Sequence, residues 1–573
     1  MIRITALLCL LFSAQAWAAD MYAAPGGGAA ASCLDAGANV CTVARCITAQ
    51  TNTNTCYLAA GTYPGSELGG SGYVIETSEF VNLVCSGAVG SCIFQPTGAN
   101  VSGIRLNSPV AGGTVAFTGI KIDGSLATPL DQCFYYNDST AIYSVVSTDN
   151  TCAEADIYDH RIVANEMNLT STRDTMTAST AVSPRSFVAT VGTWAEGGVT
   201  VASANVTIAK YNDTAAPVVN ILATDAGETG SVTNSTFTIT NDPATTTGYI
   251  DVIQFRAIPN AIATGNTIKV TGANVGTTGS ACAAASCRQV RAIKSYSSSA
   301  LDSSGANLSN NTITFEAANG IGVSVGNDQT GAGDTYSAFG KANGNTIICT
   351  ASGTSAHGVG LFWSQGGVAS GNFVRGCGIG LLSKDQPTAG GLFSGNILID
   401  IAESYMYAKG STAPQFINNT LSVSNSTGTP VVIGIDGATN STNVTLDNNN
   451  IVSTGGQPTN LLNTASSQTI AEATSNNWYG FTSPNWKYLG TDYTSLAAWN
   501  AVGVVGTDLS VAPGMVGGSA PATAAGFKLN SNSALIRAGV CYLTSGCVAP
   551  DYAGRRAFVP PDVGAYQRVV GDP

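Results

Sequence analysis

Lysines and aspartates recur at one position in successive apolar runs of this 573-residue chain. Aligning the runs that begin at Gly320, Gly358, Gly378 and Ser404 brings Asn327/Asp328, Ser364/Gln365, Lys384/Asp385 and Lys409 to comparable corners. Asp436 follows a similar run, Val431–Ile435. If the runs stack as neighbouring strands, these corners lie within about 5–10 Å of one another. Such a set can support two chemistries. A cation beside a carboxylate, a base for the adjacent carbon-bound proton and an acid for the leaving oxygen give β-elimination. Two carboxyl groups about 5–10 Å apart give glycosidic hydrolysis. For elimination, Lys384 and Lys409 are the candidate neutraliser and base. Asp328, Asp385 and Asp436 are candidate acids, or calcium ligands. Phe362 and Trp363 on the same flank offer a stacking platform, with Gln365 beside them as a hydrogen-bonding group. The plainer reading is a solvated corner with an aromatic packed under a loop.

A second candidate is Asp159-His160-Arg161, where strand alternation puts Tyr158 and His160 on one face. A Tyr/His pair near an arginine can also drive elimination. His357 shows no partner in the sequence. The chain has no nucleophile elbow, phosphate loop or His-Glu-x-x-His zinc motif.

The elements that must hold these residues follow a rhythm. Asn345, Asn372, Asn396 and Asn419 are spaced by 27, 24 and 23 residues, and each precedes an apolar pair or triplet. The same pattern occurs at Asn266, Asn311 and Asn449 with wider spacing. Two short strands and an asparagine turn, repeated with loops of varying length, describe a solenoid rather than separate domains. Asparagine suits the corner because it tolerates the left-handed conformation and bonds to backbone. Stacked about 4.8 Å apart, its side chains can form a ladder. The less regular region 125–230 reads as loop excursions from the same solenoid.

Only 10% of residues are charged, yet 44% are apolar, so the chain can build a core. A net charge of −12 argues against a nucleic-acid partner. Arg3, the apolar run 4–12 and Ala16-Trp17-Ala18 read as a cleavable signal peptide over 1–18. No later apolar run is long enough for a transmembrane helix. The expected location is therefore periplasmic, extracellular or cell-surface. Loss of the signal removes Cys9 and leaves Cys33, Cys41, Cys46, Cys56, Cys85, Cys92, Cys133, Cys152, Cys282, Cys287, Cys349, Cys377, Cys541 and Cys547. Consecutive pairing gives seven local disulfides, although the first four can pair otherwise.

The two ends narrow the fold. Thr42 can cap a short helix, Val43 to Gln50, ahead of a strand containing Ala60-Gly61-Thr62-Tyr63. The tail carries Leu535-Ile536-Arg537-Ala538-Gly539 and then Asp562-Val563-Gly564-Ala565-Tyr566. Both ends, with the repeat rhythm between them, resemble secreted bacterial right-handed parallel β-helix proteins of the pectate-lyase-like group. Leu535, Arg537 and Gln567 depart from the usual closing text, which has acidic residues in that module. The resemblance implies an all-β, right-handed parallel β-helix of about 14–16 coils. Its expected parts are a cap and first strand over 19–65, coils over 66–473 and a closing module over 474–573. It further implies an extracellular polysaccharide partner, bound along the flank and cleaved by a lyase or glycosidase mechanism. A non-catalytic surface or matrix protein is the alternative.

Overall fold

The computed structural model describes residues 20–567. Outside it lie 1–19, 568–573, the stretches 273–288, 327–336, 541–550 and 554–560, and shorter connecting segments. The signal segment, Asp328 and the cysteines at 282, 287, 541 and 547 fall outside the described residues.

Three stacks of parallel strands run the length of the molecule, and each turn of chain contributes one strand to each stack. In one coil, Val368–Ser370 belongs to the first sheet, Phe373–Arg375 to the second and Ile379–Lys384 to the third. The second sheet has fifteen strands, within the coil number expected. The architecture is the right-handed parallel β-helix anticipated from the sequence.

One corner defines every coil. The residue between the first and second sheets has positive φ at Gly119, Asp149, Arg173, Ser203, Asn234, Gly265, Asn310, Gly344, Gly371, Gly395, Asn418, Asn448 and Ser475. The left-handed residue is thus the one before the ladder asparagine, not that asparagine itself. This explains the Gly-Asn and Asn-Asn pairs: the first residue makes the turn and the second points inward.

The ladder runs from Asn266 through Asn311, Asn345, Asn372, Asn396, Asn419, Asn449 and Asn476. Each backbone N–H and each Nδ2 donates to the Oδ1 of the next rung at 2.8–3.1 Å. Each Nδ2 also donates to a carbonyl of the preceding coil, as Asn396 does to Ala369. Two residues on, Ile268, Ile313, Ile347, Val374, Leu398, Leu421 and Ile451 form a buried column. Burying each such side chain contributes about 2 kcal/mol.

The described strands in 125–230 keep the coil order: Glu166–Thr172 pairs in register with Glu196–Ala202, and Asn205–Tyr211 pairs with Thr236–Asn241 with a register shift after Ile208. The ladder position there holds Asn150, Asp174 and Ala204, with Ser235 next, so the asparagine signal fades, and the connecting segments where excursions are expected lie outside the described residues. Asn150 N–H still bonds Asp174 Oδ1, and Ala204 N–H still bonds Ser235 Oγ.

The helix Val43–Ala49 covers the N-terminal end, with Thr42 Oγ1 accepting from Arg45 N–H and Val43, Cys46 and Ile47 buried. At the other end Trp478, Trp486 and Trp499 pack together, and the short strand Thr491–Tyr493 runs antiparallel on Trp486–Tyr488. Beyond them the tail folds back along the second sheet's outer face. There Met515, Phe527, Leu535, Val563 and Tyr566 pack on Phe373, Ile397, Ile399 and Val452. Gln567 ties Asp562 and Asp551 together.

The ladder ends on Asp508, which is buried. Its Oδ1 accepts both donors of Asn476, and its Oδ2 accepts the indole N–H groups of Trp478 and Trp499. Burial pushes this carboxyl upward while those donors pull it back. Asp508→Asn should therefore destabilise the fold by about 2 kcal/mol despite equal volume, because an amide turns a donor toward donors. Asn396→Leu, which orphans groups on both neighbouring coils, should cost about 3 kcal/mol or more. Denaturant midpoints of the two variants check both values.

Candidate functional site

The third sheet carries the site. Five consecutive strands, Gln289–Tyr296, Asn319–Val325, Ser355–Phe362, Ile379–Lys384 and Ser404–Lys409, lie side by side in it and turn one face outward. Register pairing sets three outward rows. The first is Asp251, Arg291, Ile321, His357, Ile379 and Ser404. The second includes Gly360, Leu382, Tyr407 and Gly434, and the third Phe362, Lys384, Lys409 and Asp436.

These rows line a cavity of about 340 Å³, whose walls include Arg291, His357, Phe362, Lys384, Glu403, Tyr407 and Lys409. That volume is in the small-ligand range. Its floor is a separate apolar cluster, Ile321, Phe362, Ile379 and Leu382, with Tyr407 against it. Two glycines shape it. A Cβ on Gly360 would fall 2.2 Å from Phe362 Cε2, and one on Gly434 would fall 2.6 Å from Tyr407 Cδ2. The Phe362 ring can therefore fold back over its own strand, and the Tyr407 ring can lie over the neighbouring coil.

The charges are arranged around this floor. Lys384 Nζ is 3.7 Å from Asp385 Oδ2 and 5.8 Å from the Phe362 ring centre. Arg291 is clamped by both oxygens of Asp251 and sits 3.8 Å from the Tyr249 ring centre. Tyr407 OH donates to Asp436 Oδ2 at 3.4 Å. Burial, Asp436 and Glu403 together push the Tyr407 hydroxyl up to about 12, so it stays protonated. Burial raises the Glu403 carboxyl. His357 is lowered to about 4 by burial and by the charges of Lys384 and Lys409, so its ring is neutral at pH 7.

Of the residues singled out in the sequence, Lys384, Lys409 and Asp436 share one row. Asp385 and Trp363 occupy left-handed positions just past their strands. Gln365 pairs with Ala338 in a separate two-stranded piece, and neither it nor Trp363 lines the cavity. Arg291, His357, Glu403 and Tyr407 were not brought together by the sequence alignment. The runs had been set on Gly320, Gly358, Gly378 and Ser404, whereas the true row is Ile321, His357, Ile379 and Ser404. Matching Gly358 to Gly378 sets His357 opposite Cys377, two residues from its true partner Ile379. Aligning the buried Val323, Val359, Leu381 and Met406 would have found them.

The described part of this donor set does not suit calcium. The row places two ammonium groups beside Asp436 and Asp385, whereas calcium takes six to eight oxygens. Among the described residues, the one group of three metal-capable side chains is Cys133, Cys152 and Asp159, and its cysteines form a disulfide.

The Asp159-His160-Arg161 candidate divides between the two faces. His160 is fully buried, stacked 4.9 Å from the Phe134 ring centre, with Nδ1 at 2.9 Å from Tyr136 OH. Its Nε2 lies 3.4 Å from Asp174 and 3.9 Å from Asp159. Burial disfavours its charged form, but those two carboxylates outweigh burial and raise its affinity for a proton. The imidazole is thus an interior group out of a polymer's reach, because alternation points it inward and Arg161 outward.

No family model matches the chain, and no curated protein sequence does. Among solved structures it is similar to the PL6 family polysaccharide lyase Pedsa3628 from Pseudopedobacter saltans. The identity is 11% and the TM-score 0.24, covering 80% of this chain and 88% of that one. It is also similar to the pectate lyase Pel9A, with 13% identity and a TM-score of 0.19 over 96% of each chain. The fold assignment rests on the strand pairing itself.

His357 and His160 are the two histidines in the sequence, so their imidazole signals can be assigned by one substitution. In an NMR titration His357 should stay neutral down to about pH 4. Lys384→Met with Lys409→Met should move that titration upward, though short of the usual histidine value, because burial remains.

Proposed function

We propose that the chain is an exported lyase acting on a uronate-containing extracellular polysaccharide, with its reaction centre in the third-sheet cavity. One observation carries this reading. Two lysines of adjacent coils stand in register beside a neutral imidazole and a protonated tyrosine, above an apolar floor. Export is supported by five disulfides, Cys33–Cys41, Cys46–Cys56, Cys85–Cys92, Cys133–Cys152 and Cys349–Cys377. They follow the consecutive pairing. No described helix is long and apolar enough to cross a membrane.

In this mechanism Lys384 and Lys409 bracket the uronate carboxylate and stabilise the charge that grows on it. His357 takes the C5 proton. The electron pair left behind forms the C4–C5 double bond as the C4–O bond breaks, and Tyr407 gives its hydroxyl proton to the departing oxygen. Proton exchange with solvent restores both groups. The depressed imidazole is an advantage here. A bound carboxylate offsets the two lysines, so His357 gains proton affinity when substrate is present. Arg291 and Phe362 orient neighbouring sugars.

Incubation with polygalacturonate or alginate should raise ultraviolet absorbance from unsaturated chain ends. Lys384→Ala and Lys409→Ala should each lower kcat/KM about 100-fold or more, and His357→Gln should stop turnover while polymer still binds. Activity should fall as the pH drops toward 4 and the free imidazole takes a proton. A panel of polyuronates yielding neither unsaturated nor new reducing ends would overturn the lyase reading. Binding without turnover would then favour the non-catalytic alternative.

A further inference from the structure

We infer that the outer face of the third sheet carries a second carboxylate-recognition site, built from Arg105, Tyr135 and Arg161, which anchors the anionic polysaccharide away from the cavity. The inference rests on the uronate reading above for the class of polymer. Its geometry is independent of the cavity.

The three residues occupy one row on consecutive coils, Arg105 paired with Tyr135 and Tyr135 with Arg161. The guanidinium carbons lie 5.0 and 5.3 Å from the tyrosine ring centre, so the ring is held between two cations. All three are partly exposed. Amide oxygens set the guanidinium orientations: Arg105 Nε donates to Asn107 Oδ1 at 2.8 Å, and Arg161 Nη1 to Gln132 Oε1 at 3.3 Å. Gln132 is fixed in turn by Ser102, at 2.6 Å. These two amide oxygens carry no formal charge.

Two features select the occupant. A guanidinium is a planar fork of donors that matches a carboxylate. Here two forks stand two coils apart, about 9.6 Å at one strand spacing per coil. An extended 1,4-linked glycan advances by about one coil per sugar, so carboxylates on alternate sugars meet the two arginines. The Tyr135 hydroxyl then faces the sugar between them. Continuing the row gives Ala189, Asn220, Gln254, Lys294 and Ser324 before the cavity coils. From Arg105 to Ser324 the row holds no Asp or Glu. This is notable in a chain of net charge −12, and it favours an anion along this flank. Gln254 and Lys294 are buried, so the two sites are separate stations rather than one open trench. About four coils, roughly 19 Å, part the Arg161 strand from the Arg291 strand.

Affinity electrophoresis in gels containing polygalacturonate, alginate or neutral dextran tests this without reference to turnover. Arg105→Gln with Arg161→Gln should weaken retardation by either polyuronate about tenfold, as loss of two charge-assisted contacts implies. Dextran gels should show no difference. The same double variant should keep its kcat on short oligomers that fill only the cavity. Lys384→Ala with Lys409→Ala should lose turnover yet retain retardation, which separates failure of this site from failure of the lyase reading. Wild-type affinity in the arginine variant would overturn the inference. If that variant does not fold, the wild-type protein gives the answer through arginine modification by phenylglyoxal with peptide mapping. Polyuronate, but not dextran, should protect Arg105 and Arg161, and equal labelling with and without polyuronate would overturn it.

Discussion

The structure depends on a directional hydrogen-bond chain buried between two sheets. From Asn311 onward each asparagine rung accepts two donors through one oxygen and passes two donors on, so the chain has a polarity that must begin and end somewhere. It ends on Asp508, an acceptor without side-chain donors, whose second oxygen takes two indole N–H groups. The aspartate thus links ladder satisfaction to the tryptophan plug at the open end. Backbone groups at a corner cannot be left unpaired in an apolar interior, and the ladder pairs them once per coil.

Because the ladder and the column beside it fix the inner surface, the outer surface of the third sheet is free to vary. Stacking turns sequence positions tens of residues apart into neighbours about 4.8 Å apart. Lys384 and Lys409 are adjacent for this reason, and so are Arg105, Tyr135 and Arg161. The fold converts a loosely periodic sequence into rows of like position, and each row can hold a different chemistry. Low overall charge sharpens the effect, since a few cations gathered over an apolar floor act in a weakly screened setting.

The inward half of this arrangement was legible in the sequence and the outward half was not. Asparagine spacing revealed the ladder, the coils and the buried residue two places on. Thr42 revealed the capping helix. The site was blurred because its residues sit on strands whose first glycine or serine gives no reliable register, so an offset of two residues separated His357 from its true neighbours Ile321 and Ile379. Stretches with Asp174, Ala204 and Ser235 in the ladder position looked irregular, although backbone pairing there needs only an acceptor or a neighbouring hydroxyl. The folded-back tail was hidden for another reason. Its apolar cluster gathers residues about 150 apart, Phe373 and Phe527 among them, and no local pattern encodes that docking.

Most of the described disulfides fall where the ladder is weakest. Four of the five described bridges lie before residue 153, and Asn150 is the first amide rung, bonding to Ile120 N–H behind it and Asp174 ahead. In those first coils Cys152 occupies the column position that Ile or Leu fills later, and Cys133 reaches it from the third sheet. A covalent link between sheets does there what the amide chain does from Asn266 onward. Each short loop closure contributes about 2–3 kcal/mol, comparable with the loss expected from one buried rung. The N-terminal coils also carry the buried His160, Asp159 and Asp174, which burden a core that must keep polar groups paired away from water. Among the described residues, staples are therefore concentrated in the part of the solenoid that has the least repetitive hydrogen bonding and the most costly interior.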